Sequence, residues 1–324
     1  MPVPDASSLD VNEDTMKASR VHRFGPPEVI SFEDIERPEP SDQEVVVRVN
    51  AAGVGPWDSW IRSGKSVLPQ PLPLTLGSDL SGTIVALGAA VRGFQIGQAV
   101  YGVTNPRFTG AYSEYATASA SMLAPKPHRL TDVEAATIPV VAVTALQMLF
   151  HAQVRSGQRV LIHGAGGSVG GFAVQLALAT GAHVTGTDVE QGVEYAKSLG
   201  ATRGIDVQTA RFEDVIEPVD VVIDTVGGDV QTRSFAVLKR GGSLVSSVAK
   251  PNAELADRCG ASASFLLVDV TTDALTHIAE LFDDGKLKTR VGLVLPHAEA
   301  RKAHEMLDGL AARPPGKLVL SVSS

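Results

Sequence analysis

The chain's 324 residues, 44% apolar and 20% charged, suffice for two domains with a packed core and exclude a disordered polypeptide. Lys and Arg number 28 against 36 Asp and Glu, a net charge of −8 with no basic run, which excludes nucleic acid and anionic membrane surfaces as partners. The lone cysteine, Cys259, excludes an intramolecular disulfide and a Cys-rich zinc site and suits a reducing, cytoplasmic compartment, while the longest apolar stretch, Ile138–Phe150, is too short to span a membrane.

Residues 1–15 carry four acidic side chains and no apolar run, so they read as a disordered tail rather than a signal peptide, with the fold beginning at Met16. From 17 to about 125, short β-branched or alternating runs (Glu44–Val49, Gly82–Leu87, Gln98–Val103) between Gly and Pro clusters predict a small β-rich domain. Thr131, with Glu134 three residues on, predicts a capping box opening an apolar helix, and the texture changes there. Strands are then expected at Arg159–His163, His183–Thr187, around Gly204–Val207, and at Val219–Asp224, Ser243–Val248 and Ser264–Val268. Helix-sized segments lie between them, the first being Val169–Thr180 closed by Gly181. Six strands with crossovers predict an α/β fold with a doubly wound parallel sheet. A helix over Thr272–Asp284, a strand at Val291–Leu295, a helix near Ala298–Leu310 and a strand at Leu318–Val322 finish the chain and could rejoin the first domain. The expected organisation is therefore 16–138, completed by 286–324, and 139–285.

At the first strand-to-helix turn stands His163-Gly164-Ala165-Gly166-Gly167-Ser168-Val169-Gly170, where Gly167 and Gly170 allow close backbone approach and helix packing. Asp188 follows 18 residues after Gly170, at the end of the second strand, where a carboxylate can accept both adenosine ribose hydroxyls and repel a 2′-phosphate. That pairing predicts a Rossmann dinucleotide site. Two other patterns compete. Gly166 to Gly170 also satisfies G-x-S-x-G, which with Asp224 and His277 or His297 permits a serine hydrolase built on Ser168, but leaves Gly164, Asp188 and the β-rich domain unexplained. Ser63-Gly64-Lys65-Ser66 ends like a phosphate-binding loop but has Ser59 in place of the first glycine.

The stretches Ala51–Gly64, Leu76–Gly82, Gly110–Tyr115, Val143–Leu146, the glycine loop, Asp224–Gly228 and Gly316–Leu320 resemble the zinc-free quinone oxidoreductases of the medium-chain dehydrogenase/reductase (MDR) superfamily. The resemblance runs from Met16 to Val322 and implies a GroES-like substrate domain, a Rossmann domain and an active site in the cleft between them. Zinc-dependent relatives place a Cys near Gly55, a His-Glu pair near Ser78 and Asp79, and a four-Cys lobe, none of which this chain has; His297 and His304 lack a third ligand and read as surface or structural residues. Without a Lewis acid, reduction of an electrophilic quinone or enone is the easier direction.

By resemblance, Thr144, Gly164, Gly167, Ser168 and Val169 hold the nicotinamide and phosphates, and Val226, Ser247 and Val248 line the strand ends. Phe265, Leu267 and Lys317 match positions that meet the nicotinamide half. Trp57 and Trp60 are the candidate aromatic walls for a flat substrate, with Asp58 and Tyr112 as candidate proton-passing groups. The family often has Asn where this chain has Gly55. NADPH-using relatives usually carry basic or hydroxyl groups after the second strand. Here Gly186–Ala196 holds Asp188, Glu190 and Glu194 with no Lys or Arg, which favours NADH unless Lys197 or Arg203 folds back. A homodimer through the sheet edge near Ser264–Val268 is the family expectation, and a non-catalytic nucleotide-binding protein is the alternative from another class.

Overall fold

The computed structural model describes residues 14–322; the tail expected over residues 1–15 lies almost wholly outside them. Strands β1 (Thr15–Val21) and β2 (Ile30–Glu36) pair as a hairpin before the long β3 (Glu44–Val54). Gly55-Pro56 then opens the short helix α1 (Pro56–Arg62), Pro sitting where a helix needs no N–H. Strands β4 (Leu74–Thr75), β5 (Asp79–Leu87), β6 (Ala99–Val103), β7 (Tyr115–Ser119) and β8 (Leu123–Pro125) follow. The expected capping box is present, Thr131 Oγ1 accepting from the Glu134 amide, but the helix stops after one turn. Pro139 cannot donate into a preceding turn, so α2 (Asp132–Ala135) gives way to a separate α3 (Pro139–His151).

The second half alternates β9 (Arg159–His163), α4 (Ser168–Ala179), β10 (His183–Asp188), α5 (Glu190–Ser198), β11 (Arg203–Asp206), α6 (Phe212–Val215), β12 (Val219–Asp224), α7 (Gly228–Ser234), β13 (Leu238–Ser246), α8 (Ala253–Cys259) and β14 (Ser262–Phe265). These six strands form one parallel sheet in the order β11-β10-β9-β12-β13-β14. Both faces are apolar, as a sheet covered by helices requires. Val160, Ile162, Val221, Ile223 and Val245 face α3 and α4, whereas Leu161, Val222 and Leu244 face a second core with Phe212 and Phe235. Two strands differ from expectation. β13 ends at Ser246 because its hydroxyl accepts the amides of Val248 and Ala249 and turns the chain out, and β14 ends at Phe265.

Helix α9 (Thr272–Asp283) crosses back to the first half, where Tyr101 Oη donates to the Leu275 carbonyl at 2.6 Å. Strand β15 (Val291–Pro296), helix α10 (Ala300–Leu307) and strand β16 (Lys317–Ser321) follow, and β16 pairs antiparallel with β3, so the C-terminal strands lie in the N-terminal sheet. Lys317 thereby begins a strand beside β3 and faces the turn after β9. Among the described residues no helix is long and apolar enough to cross a membrane.

Candidate functional site

Strand β9 delivers the glycine turn to the C-terminal edge of the sheet next to β10 and β12, the point where strand order reverses and open α/β sheets bind ligands. Gly164 has φ +69°, a left-handed conformation, and a Cβ there would strike the Thr225 hydroxyl, which is itself donated to the His163 carbonyl at 2.7 Å. A Cβ on Gly170 would overlap the Gly164 carbonyl, so the turn and the first turn of α4 touch backbone to backbone. Gly167, the N-cap of α4, has no side chain to cap with, which leaves the first-turn amides, those of Ser168 and Val169 among them, to an outside acceptor. Asp188 closes the neighbouring corner: its carboxylate accepts the Gly166 amide at 2.9 Å and the Val189 amide at 2.8 Å, and Gly192 leaves room for it. This cradle of amides beside a carboxylate fits the pyrophosphate and ribose of a nicotinamide dinucleotide.

Around the strand ends, Val226, Val248 and Leu267 are exposed although apolar, with the half-buried Ser247 among them, while Phe265 sits on the sheet edge, 38% exposed. Thr144 lies buried on α3, its hydroxyl donated to the Val140 carbonyl at 2.6 Å. Across the crevice Lys317 is 2% exposed; its ammonium pairs with buried Asp79 at 3.1 Å and sits 4.1 Å from the Trp57 ring centre. Burial pushes the Asp79 carboxyl up, and the Lys317 charge opposes that rise. The Trp57 indole donates to Ser78 Oγ at 3.0 Å and abuts Gly55, where any Cβ would overlap its ring.

Asp58 and Tyr112 differ from the proton-passing groups expected of them, because neither has any exposed surface. Asp58 Oδ2 accepts the Gly55 amide at 2.8 Å and the Tyr112 hydroxyl at 3.0 Å, while Oδ1 is buried without a partner. Burial pushes Asp58 up to about 7. Burial and the Asp58 charge push the Tyr112 phenol well above its usual range. The pair ties the start of α1, next to Trp57, to the Gly110–Tyr115 loop. Trp60, one helical turn on, is 47% exposed and outside this buried cluster.

A narrow crevice joins the two halves, lined by Gly166, Gly167 and Ser168 on one side and by Thr289, Arg290 and Lys317 on the other. Thr289 and Arg290 escaped the sequence reading; three cations in five residues, Lys286, Lys288 and Arg290, were the available signal. A second cavity of about 560 Å³ opens between the halves, walled by Leu68, Phe108 and Met122 against Leu267, Val270 and Thr271. It shares Leu267 with the apolar strand ends.

The serine hydrolase arrangement does not assemble. Asp224 spends its carboxylate on the Val226 and Gly227 amides and on Gln231, while His277 is an exposed residue 4.0 Å from Glu280. His297 packs edge-on against Phe32. The phosphate-loop look-alike follows α1, not a strand, so it lacks the strand-turn-helix geometry. His297 and His304 are buried rather than on the surface, each with an unpartnered Nε2, and burial beside Arg62 pushes His304 down to about 3.

Residues 41–128 match the family model described as the alcohol dehydrogenase GroES-like domain, and 199–320 match that of a zinc-binding dehydrogenase. The chain is 32% identical to the quinone oxidoreductase of Pongo abelii, over 94% of this chain and 97% of that protein. It is 30% identical to the mitochondrial NAD(P)H oxidoreductase RTN4IP1 of Mus musculus, covering 99% and 93%. Its fold matches the quinone oxidoreductase of Coxiella burnetii with a TM-score of 0.87 and 35% identity, covering 95% and 100%. Against the Escherichia coli quinone oxidoreductase complexed with NADPH the TM-score is 0.84 at 26% identity, covering 94% and 99%. The donor set does not fit the metal that the second family model names. Positions 55, 78 and 79 converge on the Trp57 indole and the Lys317 ammonium, and the described residues gather no group of three or more His, Cys, Asp or Glu that could hold an ion.

Proposed function

Because the chain belongs to the quinone oxidoreductase family of the MDR superfamily, we propose that it is a zinc-independent reductase of quinones or α,β-unsaturated carbonyls. It is an NAD(P)H-dependent oxidoreductase of the medium-chain type. The observation that carries the finer reading is the amide cradle at Gly164–Val169 facing Lys317 and the substrate half across one crevice. When bound, the dinucleotide supplies hydride from its dihydronicotinamide.

The chain's own residues then divide the remaining work. Amides at the start of α4 hold the pyrophosphate, and Asp188 accepts the adenosine ribose hydroxyls, which favours NADH because its charge repels a 2′-phosphate. Val226, Val248, Phe265 and Leu267 form the apolar seat of the nicotinamide, with Thr144 and Ser247 as its hydroxyl-bearing members. The cavity between Phe108 and Leu267, with its apolar walls, takes a flat apolar substrate. Lys317, held by Asp79 and covered by Trp57, lines the nucleotide crevice and gives its substrate-side wall a fixed shape. The reading extends to a homodimer through the free edge of β14, supported by the exposed Phe265 there, and to a reducing cytoplasmic compartment, supported by the single cysteine.

The test is oxidation of NADH and NADPH with naphthoquinone, phenanthrenequinone and an open-chain enone, with and without a strong chelator. Turnover that ignores the chelator is expected. Saturable nucleotide binding without turnover on any acceptor would favour the non-catalytic alternative, and activity lost to chelator and restored by zinc would end the metal-independent reading.

A further inference from the structure

Arg290 lines the crevice together with Lys288, and the proposed chemistry uses neither; Arg290 is the more buried of the two. It ends a cationic run in which Lys286 is already paired with Asp284 at 2.8 Å, while among the described residues Arg290 has no carboxylate partner. In a chain of net charge −8, an unpaired, half-buried guanidinium is an uncommon arrangement. Its guanidinium centre lies 4.6 Å from the ring of Tyr195 on α5, and that ring packs beside Gly171 on α4. A cation–π contact of this kind uses none of the five N–H donors of a guanidinium as a conventional hydrogen bond to a carboxylate, so they stay available to an acceptor. The backbone is fixed as well, the Arg290 carbonyl accepting the Lys317 amide at 2.9 Å, so the side chain leaves from a rigid point on the substrate side. The crevice it lines is the one lined by Gly166, Gly167 and Ser168.

The geometry points to Arg290 as the group that reaches from the substrate half and holds a phosphate of the dinucleotide, an assignment that rests on the cofactor reading above. A planar fork of donors, held against an aromatic ring and lining the same crevice as a glycine turn with uncapped amides, matches the oxygen edge of a phosphate. The phosphate is either the pyrophosphate over the start of α4 or the 2′-phosphate of NADPH, and the two are separable. Asp188 at the ribose corner predicts the pyrophosphate.

The experiment is calorimetric titration of NADH and NADPH into wild type, Arg290→Gln and Arg290→Lys, with thermal midpoints taken without nucleotide. Arg290→Gln should weaken binding about tenfold or more, and Arg290→Lys should fall between, keeping the charge but losing the fork. Equal losses for both nucleotides identify the pyrophosphate; a loss confined to NADPH identifies the 2′-phosphate. Affinities unchanged within about twofold would overturn the assignment whatever the midpoint, and a lowered midpoint beside them would make Arg290 a latch between the halves. Wild-type protein that binds neither nucleotide would remove the cofactor reading and this assignment together.

Discussion

Position 55 is a glycine for a reason that has nothing to do with backbone freedom. Its φ of −126° and ψ of 162° are ordinary extended values open to any residue, yet a Cβ would overlap three atoms of the Trp57 six-membered ring. Any side chain there must expel the indole. Expulsion breaks the Nε1–Ser78 hydrogen bond, worth about 1 kcal/mol, and the Lys317–indole contact, worth about 2 kcal/mol when desolvated. Gly55→Ala should therefore cost about 3 kcal/mol in urea unfolding and turn the Trp57 emission toward that of a wetter indole. In a Trp57→Leu background the far ring atoms are gone. The same substitution should then be close to neutral, the loss of unfolded-state entropy offsetting the poorer N-cap residue. A double-mutant cycle reads this directly as a coupling of about 3 kcal/mol. If Gly55→Ala costs the same in both backgrounds, the steric account of this position is wrong.

Lys317→Met should destabilise by about 3–5 kcal/mol, since it strands the buried Asp79 carboxylate, and the loss should shrink when Asp79→Asn is added. Asp58, pushed up to about 7 by burial, is protonated in the folded state over a range where the unfolded chain has already lost its proton. Its contribution to stability must then fall as pH rises from about 4 to 7, by no more than about 4 kcal/mol, and stay flat above. The groups facing it are Tyr112, Lys317 and Asp79, so urea midpoints across that range should be compared with Asp58→Asn, which lacks the slope; parallel profiles for the two proteins would contradict the assignment. His304, pushed down to about 3, should show the neutral-imidazole nitrogen shifts by NMR from pH 8 to 5, whereas an ordinary titration near 6.5 would mean its pocket is wet.

The Rossmann half was legible because its physics is local. β9 and β12 are apolar runs covered on both faces, and the glycine turn needs Gly164 and Gly170 for close contacts made within a few residues. The ends of β13 and β14 were misjudged, since Ser246 stops its strand with a hydroxyl bond that apolar patterning does not record. The substrate side was hidden for a different reason. Lys317 meets Asp79 across 238 positions of sequence, and Arg290 meets Tyr195 only once β15 and β16 have joined β3. Motif matching found Asp58 and Tyr112 but not that both are fully buried, because exposure is a property of the assembled core.

The most direct test of the account is to compare NADH and NADPH affinities of the wild type with those of Asp188→Ala. The account predicts saturable binding of both with NADH tighter, and a mutant in which that difference collapses as the carboxylate leaves the ribose corner. Tighter binding of NADPH by the wild type, or a preference that survives the loss of Asp188, would contradict it.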